Sequence, residues 1–257
     1  MGNIMFDSHA HYNDRRFDED RDETIADAMN YCKYIMNVGT NVESSRVCIE
    51  YAEKYNGFYA SAGIHPHDTD EAGDEEKALD DLREMLRHDK VKAIGEIGLD
   101  FHYDFSPRDI QRRWFDLQMK LADETGYPVI IHDREAHGEC VDMVRKYPNV
   151  RGVFHCFSGS AETARELVSM GWYISFSGSV TFKNAERLAQ AMLTVPNDRL
   201  LIETDCPYLA PVPVRSKRNY SGYMRHTAEF IALRRDMDLK ELCDITRENA
   251  KKFYGIE

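Results

Sequence analysis

The sequence predicts an α/β protein built as a single (β/α)8 barrel, the TIM-barrel arrangement, over residues 1–257. Three observations predict it. Short apolar or β-branched runs alternate with longer amphipathic stretches along the chain. Eight such runs occur in 257 residues, the number and spacing that a barrel of this class requires. The segment Asn37-Val38-Gly39-Thr40-Asn41, after the second run, is too poor in glycine for the phosphate loop of a doubly wound open sheet.

The expected strands are residues 4–7, 34–38, 58–63, 91–96, 128–132, 151–155, 173–177 and 200–204. Most carry Gly, His, Asp or Glu where the apolar run stops. The strongest helix is 107–125. Ser106 is placed to cap it, Pro107 suits the first helical position, and Asp109 falls in the first turn. Ile110, Trp114, Leu117 and Leu121 then recur at spacings of four, three and four, which puts them on one face. Gly126 ends it. Helices are also expected near 42–55, 75–88, 134–147, 160–170 and 183–193.

Composition narrows the function. With 42% hydrophobic residues the chain can bury a sizeable core, yet no run approaches the roughly 20 apolar residues of a membrane span. The first residues lack the basic and apolar regions of a secretory leader. The six cysteines, at 32, 48, 140, 156, 206 and 243, include no Cys-x-x-Cys pair. That spacing argues against a disulfide framework or a thiolate zinc site and suits a reducing, cytoplasmic setting. The net charge of -12 excludes broad electrostatic wrapping of nucleic acid. Any polyanion must be gripped locally, and bound cations are the means of inverting the sign of an acidic pocket. No obligate protein partner is evident.

The chemistry gathers at strand ends. The first strand runs into Asp7-Ser8-His9-Ala10-His11, and residues two apart in an extended chain project to the same side, so His9 and His11 can share one metal ion. The fourth run ends at Gly95-Glu96, the fifth at Ile131-His132, the sixth at Phe154-His155 and the eighth at Glu203-Thr204-Asp205. In a barrel these ends converge on one face. Buried ionisable groups are costly unless they are paired or bound to metal. Six ligands, His9, His11, Glu96, His132, His155 and Asp205, exceed the needs of one tetrahedral ion and suit two divalent ions sharing a carboxylate. The assignment gives His9, His11 and Asp205 to one ion and His132 and His155 to the other, with Glu96 as the bridge.

Here the sequence resembles a known family. His9-x-His11, Gly63-Ile64-His65-Pro66-His67, Gly95-Glu96-Ile97-Gly98-Leu99-Asp100, Ile131-His132-Asp133-Arg134-Glu135-Ala136, His155-Cys156-Phe157-Ser158-Gly159 and Glu203-Thr204-Asp205-Cys206-Pro207-Tyr208-Leu209 are similar to the blocks of the TatD family of metal-dependent deoxyribonucleases, in the same order. The resemblance implies an amidohydrolase-type barrel and hydrolysis of DNA phosphodiesters, with 3′-to-5′ exonuclease action on single strands. It supports the same six ligands and places His65 and Arg134 near the substrate phosphate. It points to Mg²⁺ or Mn²⁺ for activity, whereas four imidazoles favour Zn²⁺, Ni²⁺ or Co²⁺ as bound ions. The chain departs from the family after the eighth strand. Val214-Arg215-Ser216-Lys217-Arg218-Asn219 keeps the basic stretch, but Tyr220-Ser221 replaces a Glu-Pro.

The expected catalytic groups are Asp205, which orients the attacking water or accepts its proton, and the bridging Glu96. His65 and Arg134 would stabilise charge on the phosphoryl oxygens. Tyr103 could stack a base, and Lys217 and Arg218 could seat the phosphate backbone. Two rival readings remain. One is a related barrel metallohydrolase acting on another ester, a lactone or a D-aminoacyl-tRNA. The other is a metal-bound scaffold without activity.

Overall fold

A computed structural model describes residues 5–257. The predicted start of the first strand, at residue 4, lies outside the described residues. The strands are β1 (Met5–Ala10), β2 (Cys32–Val38), β3 (Phe58–Ala62), β4 (Val91–Asp100), β5 (Val129–Arg134), β6 (Gly152–Phe154), β7 (Tyr173–Phe176) and β8 (Leu200–Ile202). They form one sheet in chain order, β1 to β8, and the ladders β1–β2, β3–β4, β4–β5, β5–β6 and β7–β8 are parallel. Ala10 also pairs in parallel with Cys206, just past β8, so the first and last strands are neighbours. This is the (β/α)8 barrel that the alternation of runs predicts.

The helices are α1 (Arg21–Ala28), α2 (Val42–Lys54), α3 (Glu75–Met85), α4 (Arg108–Thr125), α5 (His137–Lys146), α6 (Ala161–Ser169), α7 (Glu186–Thr194), α8 (Met224–Arg234) and α9 (Leu239–Tyr254). The contacts fall into two compact units. One is Val38–Phe154; the other takes the chain up to Asn37 together with His155–Glu257.

In the Val38–Phe154 unit, Phe58, Ile94, Phe115, Ile130 and Ile131 are fully buried. Helix α4 supplies Trp114, Phe115, Leu121 and Ala122 to this core, together with two buried glutamines, Gln111 and Gln118. Apolar periodicity could not find those glutamines, and both work as backbone pins. Gln118 accepts the Ile64 N–H at 2.8 Å and donates to the Ile64 carbonyl at 3.0 Å. Ser106 does not cap α4: the cap position is Pro107. The Ser106 hydroxyl instead donates to the His67 carbonyl and accepts the Asp70 N–H. Gly126 ends α4 in the left-handed region at φ 77°, as its lack of a side chain allows.

In the other unit, α9 packs on β1 and β8. Its Tyr254 stacks on Phe6 and donates its hydroxyl to the Ser8 carbonyl at 2.8 Å. Asp238 caps α9 by accepting the N–H groups of Lys240 and Glu241. All six cysteines are free thiols. No helix among the described residues is long and apolar enough to cross a membrane.

Candidate metal centre

Within the unit that holds both chain ends, the ends of β1 and β8 are laced together. The His11 N–H donates to the Cys206 carbonyl and the Asp205 N–H to the His9 carbonyl, at 2.8 and 2.9 Å. Asp7, fully buried, accepts both the N–H and the hydroxyl of Thr204, and burial pushes its carboxyl up to about 7. This lacing fixes the side chains beyond it. His9 Nε2 and His11 Nε2 face each other at 3.0 Å, and Asp205 Oδ1 lies 3.5 Å from His11 Nε2 and 3.9 Å from His9 Nε2. Asp205 sits in the left-handed region at φ 56°, a conformation that costs a non-glycine residue energy and is characteristic of functional turns. Burial would raise its carboxyl, but the His11 contact and the nearby His155 and His9 hold it below its ordinary value.

The His155 ring stacks on His9 with centroids 3.9 Å apart. His9, His155 and Glu203 can offer ligand atoms that all lie within 4.8 Å of one another. Glu203 is fully buried. Its Oε1 accepts the Cys156 N–H, and its Oε2 has no hydrogen-bond partner among the described residues. An unpartnered buried carboxylate oxygen among imidazole nitrogens fits a cation. Glu203 is a candidate ligand that the strand-end reading leaves unassigned. The signal was there, because Glu203 follows an apolar strand directly.

Within the Val38–Phe154 unit, β4 continues four residues beyond the expected end at 96. Glu96 and Asp100 therefore both stand on that strand, beside His132 on β5. Gly98 pairs with His132 in the β4–β5 register. A Cβ on Gly98 would come 2.0 Å from the His132 carbonyl oxygen, so the closeness of the two strands requires glycine there. His132 Nδ1 is 2.8 Å from Glu96 Oε1, and His132 Nε2 is 3.0 Å from Asp100 Oδ2. His67 Nε2 is 2.8 Å from the same Asp100 oxygen. Sequence reasoning missed Asp100 and His67, because neither ends an apolar run under the expected strand bounds.

His65 is held by its N–H donating to the Thr40 carbonyl, and its Nδ1 accepts the His67 N–H at 3.1 Å. In the neutral ring the hydrogen therefore sits on Nε2, which points at Glu96 Oε1 from 3.4 Å. Burial lowers the His65 pKa to about 3, so near neutrality it is an uncharged donor.

The remaining expected substrate contacts lie at the surface. Arg134 is exposed, with its guanidinium 4.6 Å over the Tyr103 ring, and Tyr103 stacks on Phe105 at 5.2 Å. Both rings are exposed, at 47% and 66%. Lys217 is exposed. Arg218 is anchored by two hydrogen bonds to Asp20 at 2.8 and 2.6 Å and lies over Phe17. Tyr220 and Ser221, in place of the family Glu-Pro, serve as packing. The Tyr220 hydroxyl donates to Asp27, and the Ser221 hydroxyl accepts from Tyr12.

The donor set fits divalent cations. Ligands held about 2.0–2.1 Å from one ion stand roughly 3.0–3.4 Å apart. His9 with His11 and Glu96 with His132 show separations of that order, 3.0 and 2.8 Å. Ends of parallel strands bearing histidines and carboxylates in a (β/α)8 barrel are the build of a metal-dependent hydrolase.

The chain belongs to the family of TatD-related DNases, whose sequence model matches residues 6–255. It is 43% identical over 256 residues to the metal-dependent hydrolase YabD of Bacillus subtilis, covering 98% of this chain and all of the relative. It is 36% identical over 260 residues to the 3′-5′ ssDNA/RNA exonuclease TatD of Cronobacter sakazakii, covering 97% of each. The crystal structure of YjjV, a TatD homologue from Escherichia coli, superposes with a TM-score of 0.92 at 26% identity and full coverage of both chains.

Proposed function

We propose that this chain is a divalent-metal-dependent deoxyribonuclease that hydrolyses DNA phosphodiesters, acting 3′ to 5′ on single strands in the cytoplasm. The observation that carries the reading is the gathering of histidines and carboxylates at strand ends in a chain of the TatD-related DNase family. His9, His11 and Asp205 would hold one ion and His132 and His155 the other, with Glu96 as the shared ligand and the buried Glu203 beside His9 and His155. When bound, such ions lower the pKa of water and neutralise charge on phosphoryl oxygens, which lets an acidic chain receive a polyanion.

The protein's own groups do the rest. Asp205, kept ionised by its histidine neighbours, orients the attacking water and accepts its proton. His65 presents an N–H to the non-bridging oxygens without carrying charge of its own. Arg134 adds a cation at the exposed edge, and the neighbouring Tyr103 offers a ring for a base, a contact worth ~1–3 kcal/mol. Lys217, exposed after β8, would meet the phosphate backbone, and Arg218 ties that loop to Asp20.

The test is a 5′-labelled single-stranded DNA oligomer incubated with Mg²⁺ or Mn²⁺. The expected result is a ladder shortening from the 3′ end, abolished by chelator and by Asp205→Asn. Intact oligomer alongside turnover of a lactone or an aminoacyl-tRNA would overturn the nuclease reading in favour of another barrel hydrolase. Bound metal with no turnover of any of these would favour a scaffold.

A further inference from the structure

We propose that Asp100 is a positioning residue: it fixes the hydrogen of His132 on Nε2 and so leaves Nδ1 to face a cation. The inference rests on the metal-holding role given to His132 above, and it is independent of the DNA substrate.

The two oxygens of Asp100 do different work. Oδ1 accepts the backbone N–H groups of Tyr103 and His102, at 2.9 and 3.0 Å. Oδ2 faces His132 Nε2 at 3.0 Å and His67 Nε2 at 2.8 Å. The carboxylate cannot turn. It is fully buried, and Gln111 accepts the Asp100 N–H at 2.9 Å while donating to the Asp100 carbonyl at 3.2 Å. Two backbone N–H groups fill Oδ1, and Oδ2 accepts from the two ring nitrogens that approach it at 2.8 and 3.0 Å, so each of those nitrogens carries hydrogen. With a cation held at Glu96, the His132 ring then offers it the lone pair of Nδ1, the nitrogen 2.8 Å from Glu96 Oε1. A carboxylate behind a metal-bound histidine sets its tautomer, orients the ring and raises its basicity.

Asp100→Asn tests this with almost no change of volume. Two backbone N–H groups point at Oδ1, so the amide oxygen must take that place and the amide nitrogen must take the place of Oδ2. That nitrogen donates to His132 Nε2, which must then accept, and the hydrogen moves to Nδ1. The first measurement is long-range ¹H–¹⁵N NMR of the Zn²⁺-loaded parent protein with labelled histidine. His132 is expected to show a protonated Nε2 and a zinc-bound Nδ1. A zinc-bound Nε2 overturns the proposal whatever the variant does.

The second measurement is Zn²⁺ titration against a competing chelator, on variants shown by thermal unfolding to be folded. Asp100→Asn is expected to weaken binding about 10–100-fold. In a His132→Ala background the same change is expected to have less than about a twofold effect. The surface control Asp104→Asn, which breaks only the exposed pair with Arg108, is expected to leave affinity unchanged. Asp100→Asn binding within twofold of the parent, or an equal loss without His132, overturns the positioning role. A parent protein that binds no divalent cation overturns this proposal and the metal-dependent reading together. Zinc binding without DNA hydrolysis overturns the nuclease reading alone.

Discussion

Replacing Gln118 with Met isolates one device that holds the second cluster in place. The side chains have nearly the same volume, so packing of α4 is conserved. What is lost is a pair of hydrogen bonds to Ile64, at 2.8 and 3.0 Å, in a place that is 1% exposed. Each buried backbone group left unsatisfied costs about 1–3 kcal/mol, so the variant is expected to lose roughly 2–6 kcal/mol. For a chain of this size that corresponds to a fall in Tm of roughly 5–20 °C. Ile64 directly precedes His65, so the loss also loosens the ring that aims Nε2 at Glu96. Urea unfolding gives the free energy, and amide exchange of Ile64 locates it. A loss below about 1 kcal/mol, with Ile64 exchange unchanged, would show that the pin does not hold this turn.

The pH dependence of stability follows from His65. Its folded pKa, about 3, lies below its ordinary value of 6.5, so the folded ring stays neutral while the unfolded chain takes up a proton. The stability it contributes is complete above pH 6.5 and is lost as pH falls toward 3. Between pH 7 and pH 5 the loss from this residue is about 2 kcal/mol. His65→Asn, which keeps an acceptor for the His67 N–H, is expected to remove that part of the acid limb in denaturant melts run with chelator. An unchanged acid limb would rule out burial of a neutral His65.

Much of this was readable from residues alone, and the failures have physical causes. The β1 motif and the His132, His155 and Asp205 positions were legible because an apolar strand cannot end in ionisable groups without a reason. Asp100 was not, because β4 runs on through Ile97, Gly98 and Leu99, and only the structure shows that the glycine there belongs to a strand pressed against β5. Ser106 has the right chemistry to cap α4 but turns away to bind His67 and Asp70. Tertiary context overrode a local preference. Helix α1 buries only Ile25 and Ala28, too few to set a period. Helix α9, by contrast, has a cap at Asp238, buried Leu242, Thr246, Ala250 and Phe253 on one face, and a left-handed Gly255 at its end. Its pattern was present, and counting strands passes over it. The glutamines of α4 mark the limit of polar-out, apolar-in reasoning, since a buried amide that satisfies backbone groups looks like a surface residue in sequence.

The proposed chemistry requires strand-end histidines and carboxylates to hold divalent ions. Anomalous diffraction from crystals grown with Mn²⁺ tests it most directly. Peaks are expected beside His9, His11 and Asp205 and beside Glu96 and His132, and Glu96→Gln is expected to lose at least one. Anomalous peaks confined to surface carboxylates, with none near these side chains, would contradict it.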